Sequence, residues 1–217
     1  FFDKLKPEVK WASPSSGVVT SIHFGDRRII EKIEIAVEDK KPESYKSFSS
    51  SELNAADREA VMKNILDACI FPLIRQRPFN KVADPNDVPR DIFISAYNTA
   101  PLSVNVSKVI QNNKDQFQAG LTAISKLTKG TVYLTSHKPM EFDNATNVTI
   151  EGPHPAGNVG IQIHHIKPIN PGEVIWTVNA QHVITIGKLF QNGHYDPGCI
   201  VSIGGSGSSN PQTVKAL

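Results

Sequence analysis

The chain has 217 residues, with 23 Lys and Arg against 21 Asp and Glu, so its formal net charge is only +2. Hydrophobic residues make up 39% and charged residues 20%, the balance of a soluble globular chain. Residues 1–90 carry 15 basic and 14 acidic side chains and residues 91–217 carry 8 and 7, so neither part has the excess of cations that a nucleic-acid surface requires.

From the N-terminus, residues 9–12 and 18–22 are strand candidates separated by the turn Pro14-Ser15-Ser16-Gly17. Gly25-Asp26 marks a second turn. Residues 29–37 then alternate, with Ile33, Ile35 and Val37 facing one way and Lys32, Glu34 and Ala36 the other. About 35 residues do not easily close a core alone, so this β element either packs on the rest of the chain or is completed by sequence preceding Phe1. Residues 39–51 are polar and Ser-rich and read as a linker, with Ser49, Ser50, Ser51 and Asn54 available as helix caps. Val61, Ile65, Leu66 and Cys69 keep helical spacing until Pro72 stops the helix. The basic stretch Arg75-Gln76-Arg77-Pro78-Phe79-Asn80-Lys81 leads through a Pro-rich loop at 84–89 into Asp91-Ile92-Phe93-Ile94-Ser95-Ala96, a nearly continuous apolar run that suits a buried parallel strand.

Beyond a loop at 98–101, Phe117, Leu121, Ile124 and Leu127 share a helical face that Lys129-Gly130 closes. Strands at 131–135 and 147–150 come next, and this alternation predicts an α/β fold with a parallel sheet. Residues 151–160 hold three glycines and two prolines, a shaped loop after a strand, where open α/β sheets bind ligands. His164 and His165 read as neighbours on a strand, on opposite faces. Residues 174–178 read as a strand and 181–190 as a helix with Val183, Ile186 and Phe190 inward, closed by Asn192-Gly193. Residues 199–203 are a last strand before a flexible 204–209.

Several chemistries fall away. Histidines on opposite strand faces do not grip one ion, and no Cys or carboxylate stands near them at ligand spacing, so no metal site is expected. Cys69 and Cys199 are too far apart in sequence for a disulfide framework and read as buried or half-buried thiols. The three Asn-x-Ser/Thr sequons, at Asn105, Asn144 and Asn147, read as chance, since no signal-peptide pattern begins at Phe1. The missing Met points to a piece of a longer chain. No run of about 18 apolar residues occurs, so no direct membrane span is expected. The loop at 152–160 lacks the G-x-G-x-x-G pattern, and Pro153 and Pro155 remove N–H donors that a phosphate cradle needs. Gly205-Ser206-Gly207-Ser208-Ser209 ends on Ser rather than Gly, which discounts a nucleophile elbow. No catalytic residue is assigned. Two candidates remain. His154, Pro155 and Gly157 form a stiffened ligand or interface loop. Arg75, Arg77, Phe79 and Lys81 supply donors for the oxygens of a quinone-like ring and a flat face beneath it. The plainer reading of that stretch is a solvated basic loop at a helix C-terminus.

Four segments occur together and in order: residues 7–22, Arg77-Pro78-Phe79-Asn80-Lys81-Val82, Gly152-Pro153-His154-Pro155-Ala156-Gly157 and Ile184-Thr185-Ile186-Gly187-Lys188-Leu189-Phe190. In these the chain resembles the A subunits of the bacterial Na+-translocating NADH:quinone oxidoreductases, over nearly all its length. The resemblance implies a partial lipoyl-like barrel-sandwich segment at 1–40 and a partial β-grasp-like segment at 171–217. Between them, at 41–170, it implies a Rossmann-like α/β domain similar to the flavin-binding subunit of respiratory complex I and the C subunit of Rnf complexes. No modifiable lysine stands at the 14–17 turn, so lipoylation is not expected.

A glycine-rich loop of the complex I protein cradles the flavin phosphate near the point matching residues 75–81. That stretch here has no glycine, so flavin and NADH binding by this segment is expected to be lost. There is no cysteine cluster for an iron–sulfur centre. The implied protein is a peripheral subunit on the cytoplasmic face of the bacterial inner membrane, without a redox cofactor of its own. Its complex would use NADH, flavins, iron–sulfur and quinone, and its partners would be the other subunits and quinone, with no nucleic acid. The resemblance places quinone contact on Arg75, Arg77, Phe79 and Lys81. A purely structural docking role and a degenerate module that still binds a flavin or nucleotide stay open beside it.

Overall fold

The computed structural model describes residues 2–39, 41 and 43–216. Strands β1 (Gly17–Phe24) and β2 (Ile30–Val37) form an antiparallel ribbon. Val19 lies opposite Ile35 and Ile22 opposite Ile33, while Ser21 faces Glu34 and His23 faces Lys32, so one face is apolar and the other polar. The register shift at Thr20 keeps the two faces in phase. Residues 9–12 do not form the expected strand. The Asp3 N–H bonds to the Val9 carbonyl at 2.8 Å and closes a local loop, leaving only an isolated bridge between Phe2 and Lys10.

The segment expected as a linker is tied to the α/β unit. Tyr45 N–H donates to Gly193 O and Phe48 N–H to Phe190 O, and the Phe48 ring is buried against Phe190 at 5.2 Å. Ser49 then opens α1 (Ser50–Ala55) with a reciprocal capping box to Glu52. Asp57 caps α2 (Arg58–Asp67), which buries Val61 and Ile65 and stops before Cys69, where φ turns positive.

The basic stretch is a hairpin rather than a loop: β3 (Ile74–Arg77) pairs antiparallel with β4 (Lys81–Val82). Then come β5 (Asp91–Ser95), α3 (Val106–Gln111), α4 (Lys114–Ser125), β6 (Val132–Ser136) and β7 (Thr146–Thr149). After these stand α5 (Val159–Ile166), β8 (Ile175–Asn179) and α6 (Ala180–Asn192), and last the antiparallel hairpin of β9 (Cys199–Ile203) and β10 (Gln212–Ala216). Helix α4 ends at Ser125, short of the expected Lys129-Gly130. Gly193 closes α6 in the left-handed conformation, as Asn192-Gly193 predicts.

Six strands make one sheet in the order β4-β3-β8-β5-β6-β7, parallel from β8 through β7 and antiparallel at the β3–β4 edge. Ile92, Ile94, Leu134, Trp176 and Val178 turn to one face, where α2, α4 and α6 cover them with Ile65, Leu121, Val183 and Phe190. Phe93 and Ile175 turn to the other face, where Ile163 of α5 covers them. Burial on both faces explains why 91–96 reads as an unbroken apolar run.

Two expectations are corrected here. His164 and His165 lie on α5, not on a strand; Val159, Ile163 and Ile166 pack towards the sheet at helical spacing, and the two histidines stay exposed. The boundary at 170/171 does not hold either, because β8 is inserted between β3 and β5 and belongs to the central sheet.

Candidate binding cleft at the carboxyl end of the sheet

Strand alternation decides where the basic residues go. Ile74 and Gln76 of β3 point into the core, and Gln76 accepts the Asp84 N–H at 3.1 Å. Arg75 and Arg77 therefore share the opposite face, in register with Thr177 and Ile175 of β8. Beside them, at the carboxyl ends of β5 and β8, lies a cleft of about 630 Å3. Arg75, Arg77 and Asn80 line it from the hairpin, residues 157–161 from the start of α5, and Asn179 and His182 from the β8–α6 junction. Leu73, Val106, Val159 and Ile161 give it apolar wall, and no Asp or Glu is among its lining residues.

The loop before α5 is held in place. Gly157 N–H donates to Thr99 Oγ1 at 2.9 Å, and the same hydroxyl lies 3.1 Å from His154 Nδ1. Buried Thr135 donates to Gln162 Oε1 at 2.6 Å, and Gln162 Nε2 donates to Ala156 O at 3.1 Å. Asn158 takes the N-cap position of α5, but its side chain makes no cap bond; Ile161 N–H donates to the Asn158 carbonyl at 2.9 Å, and the Val159 and Gly160 N–H groups at the first turn have no side-chain cap.

The electrostatics are one-sided. Arg75 donates to the Asn80 carbonyl, which holds the hairpin turn and neutralises nothing. Among the described residues, Arg77 Nε is buried without a hydrogen-bond partner, as is His182 Nδ1. Burial, and then the neighbouring Arg75 charge, push the Arg77 guanidinium below its ordinary value, although an arginine stays cationic. Burial pushes the His182 imidazole down, with the Leu73 backbone acting in the opposite sense, so His182 favours its neutral form.

The structure divides the residues singled out by sequence. Arg75, Arg77 and Gly157 meet in one cleft. Phe79 is 84% exposed at the hairpin tip and Lys81 is exposed on β4, and neither lines the cleft. His154 and Pro155 are exposed on the loop that leads to it. Among the described residues, no three His, Cys, Asp or Glu gather where a metal would be held, and no helix is long and apolar enough to cross a membrane.

A family model described as the NqrA second alpha/beta domain matches residues 56–195, and one described as the NqrA N-terminal barrel-sandwich hybrid domain matches residues 1–38. The chain belongs to the NqrA family. The Na(+)-translocating NADH-quinone reductase A subunit of Saccharophagus degradans is 34% identical over 220 residues, which cover 99% of this chain and 49% of that protein. Those of Marinomonas sp. and Pasteurella multocida are each 34% identical, over 99% and 100% of this chain and 49% and 50% of theirs. The chain spans about half the length of the curated relatives it matches.

The NqrA second-domain match runs through β8 and α6, so it takes in the whole six-stranded sheet and every wall of the cleft. Sequence reasoning missed Thr177, Asn179 and His182 as lining residues of this NqrA cleft. The visible signal was the end of a buried strand meeting a helix cap at Asn179, the position where open α/β sheets expose ligands.

Proposed function

We propose that this chain is part of the A subunit of a Na+-translocating NADH:quinone reductase and contributes quinone contact without holding a redox cofactor of its own. The observation that carries the reading is the meeting of Arg75 and Arg77 with residues 157–161 in one cleft at the carboxyl end of the sheet. The relatives' name as NADH-quinone reductase subunits supplies the substrate class. In this reading Arg75 and Arg77 donate to quinone oxygens, and Leu73, Val106 and Ile161 flank the ring. Phe79 and Lys81, on the outside of the same hairpin, meet the remainder of the ligand or a neighbouring subunit. The α/β unit then corresponds to a flavin-subunit-like domain without its flavin loop, β9 and β10 to part of a β-grasp-like segment, and the whole sits peripherally on the cytoplasmic face of the membrane.

A photoreactive quinone added to the assembled complex tests this. Label recovered in peptides covering residues 72–81 or 157–161 supports it. Label confined to other subunits supports the second reading, a docking role, which the exposed Phe79 at a hairpin tip favours in its own right.

A further inference from the structure

We propose that the cleft selects ligands that carry an ionised oxygen, with Arg75 and Arg77 as its counter-ions and Leu73, Val106 and Ile161 as walls for a flat apolar body. This names the substrate class of the site and rests on the quinone reading of the same cleft.

Two guanidiniums stand side by side on one face of β3, two residues apart. Among the described residues the cleft they line has no carboxylate, and Arg77 Nε is buried with no hydrogen-bond partner. Half-buried cations without a counter-ion repel one another and lose hydration. Burial, and after it the Arg75 charge, hold the Arg77 guanidinium below its ordinary value. The first turn of α5, which has no side-chain cap and lines the same cleft, adds to the positive potential. Neutral His182 relieves none of it and offers a polar atom without a partner.

A neutral quinone carbonyl accepts hydrogen bonds here but leaves both charges uncompensated. An oxyanion accepts the same bonds and cancels charge, and charge-assisted bonds are roughly twice as strong as neutral ones. The preferred ligands are therefore ring hydroxyls in their ionised form, as in hydroxyquinones or quinolates, rather than neutral quinones. No bond is made or broken in this step, and no electron is transferred.

The test uses the 217-residue chain and three probes in isothermal titration: 1,4-naphthoquinone, 2-hydroxy-1,4-naphthoquinone, which is ionised at neutral pH, and inorganic phosphate. Arg75→Gln, Arg77→Gln and Arg77→Lys are compared with the unsubstituted chain, with circular dichroism confirming the fold of each. The expected result is binding of the hydroxyquinone at least about tenfold tighter than the neutral quinone. That preference falls away in either Gln variant, survives in Arg77→Lys, and fades when the pH is lowered until the hydroxyl is protonated. If both quinones bind alike and the Gln variants change neither, the selectivity is refuted and the quinone reading survives. Arginine-dependent phosphate binding with no binding of either quinone upholds an oxyanion site and removes the quinone reading. Binding of none of the three overturns both.

Discussion

Thr99 Oγ1 accepts the Gly157 N–H at 2.9 Å, fastening the loop after β5 to the loop before α5. The contact is too close for any side chain at 157, since a Cβ there would lie 2.4 Å from Thr99 N. With the Gln162 bond to the Ala156 carbonyl, this hydroxyl helps to set where residues 157–161 stand relative to the arginines of β3. Thr99→Val keeps the shape and leaves the half-buried Gly157 N–H unpaired. The expected loss is about 1 kcal/mol of stability, read by denaturant unfolding, together with weaker ligand binding in the cleft. Thr99→Ser restores both. A Val variant as stable and as competent as the parent would mean that the loop is held elsewhere.

The second prediction concerns the crossing of α4 and α6. Gly120 and Gly187 face each other so closely that a Cβ on Gly187 would lie 1.7 Å from Gln116 O, and one on Gly120 would lie 2.0 Å from Val183 O. Backbone carbonyls do not move aside as a side-chain tip does. Gly187→Ala therefore costs about 2–3 kcal/mol through overpacking, seen as a lower denaturation midpoint. Gly160→Ala is the control, because nothing lies within 4 Å of its Cβ position. In the first turn of α5 it is expected to be neutral or slightly stabilising, since alanine is the better helix former.

At the opposite end of the sheet, Asp91 is 1% exposed and receives Lys167 Nζ at 2.8 Å, Arg90 Nε at 2.7 Å and the Thr131 N–H at 3.0 Å. Burial alone would raise its carboxyl. The bonds from Lys167, Thr131 and Arg90 outweigh burial and hold it below the usual carboxylate range. A depressed folded value means that its stabilisation is complete above the unfolded value of about 3.9 and is lost as pH falls through the folded value. Stability is expected to decline below about pH 4, and Asp91→Asn is expected to flatten that decline. The same variant loses about 3 kcal/mol at neutral pH, the low end for breaking a buried pair because Lys167 is half exposed. Paired urea titrations at neutral and at acid pH measure both effects.

How far the sequence carried depends on what each segment encodes locally. Residues 91–96 announced a strand buried on both faces because no polar side breaks the run, and Asn192-Gly193 announced the end of α6 because only a left-handed cap fits there. Helix α5 was hidden, since Val159, Ile161 and Ile163 also satisfy a period of two and eight residues are too few to decide between periods. The β3–β4 hairpin was hidden by Gln76, a polar residue in a core position, whose burial is made tolerable by its bond to the Asp84 N–H. Arg75 and Arg77 were legible as chemistry without being legible as a strand face. The separation of Phe79 and Lys81 from them comes from the hairpin and could not be read from spacing. The β1–β2 ribbon leaves an apolar side exposed, and residues 1–38 match the NqrA N-terminal barrel-sandwich hybrid domain.

Phe79 separates the two readings of the function. Its ring is 84% exposed at the hairpin tip, so Phe79→Ala removes almost no buried area within the chain. The stability of the isolated chain is expected to change by no more than about 0.5 kcal/mol. If the hairpin tip docks on a neighbouring subunit, the exposed ring is the kind of anchor that dominates an interface, and its truncation costs about 2 kcal/mol or more of association. That loss would be seen as dissociation of this chain from the purified complex at lower detergent or salt stress than the parent. If the tip serves the ligand instead, the complex stays assembled and quinone affinity alone falls. Measuring subunit retention and quinone titration on the same Phe79→Ala preparation assigns the residue to one role, and a variant that changes neither removes Phe79 from both.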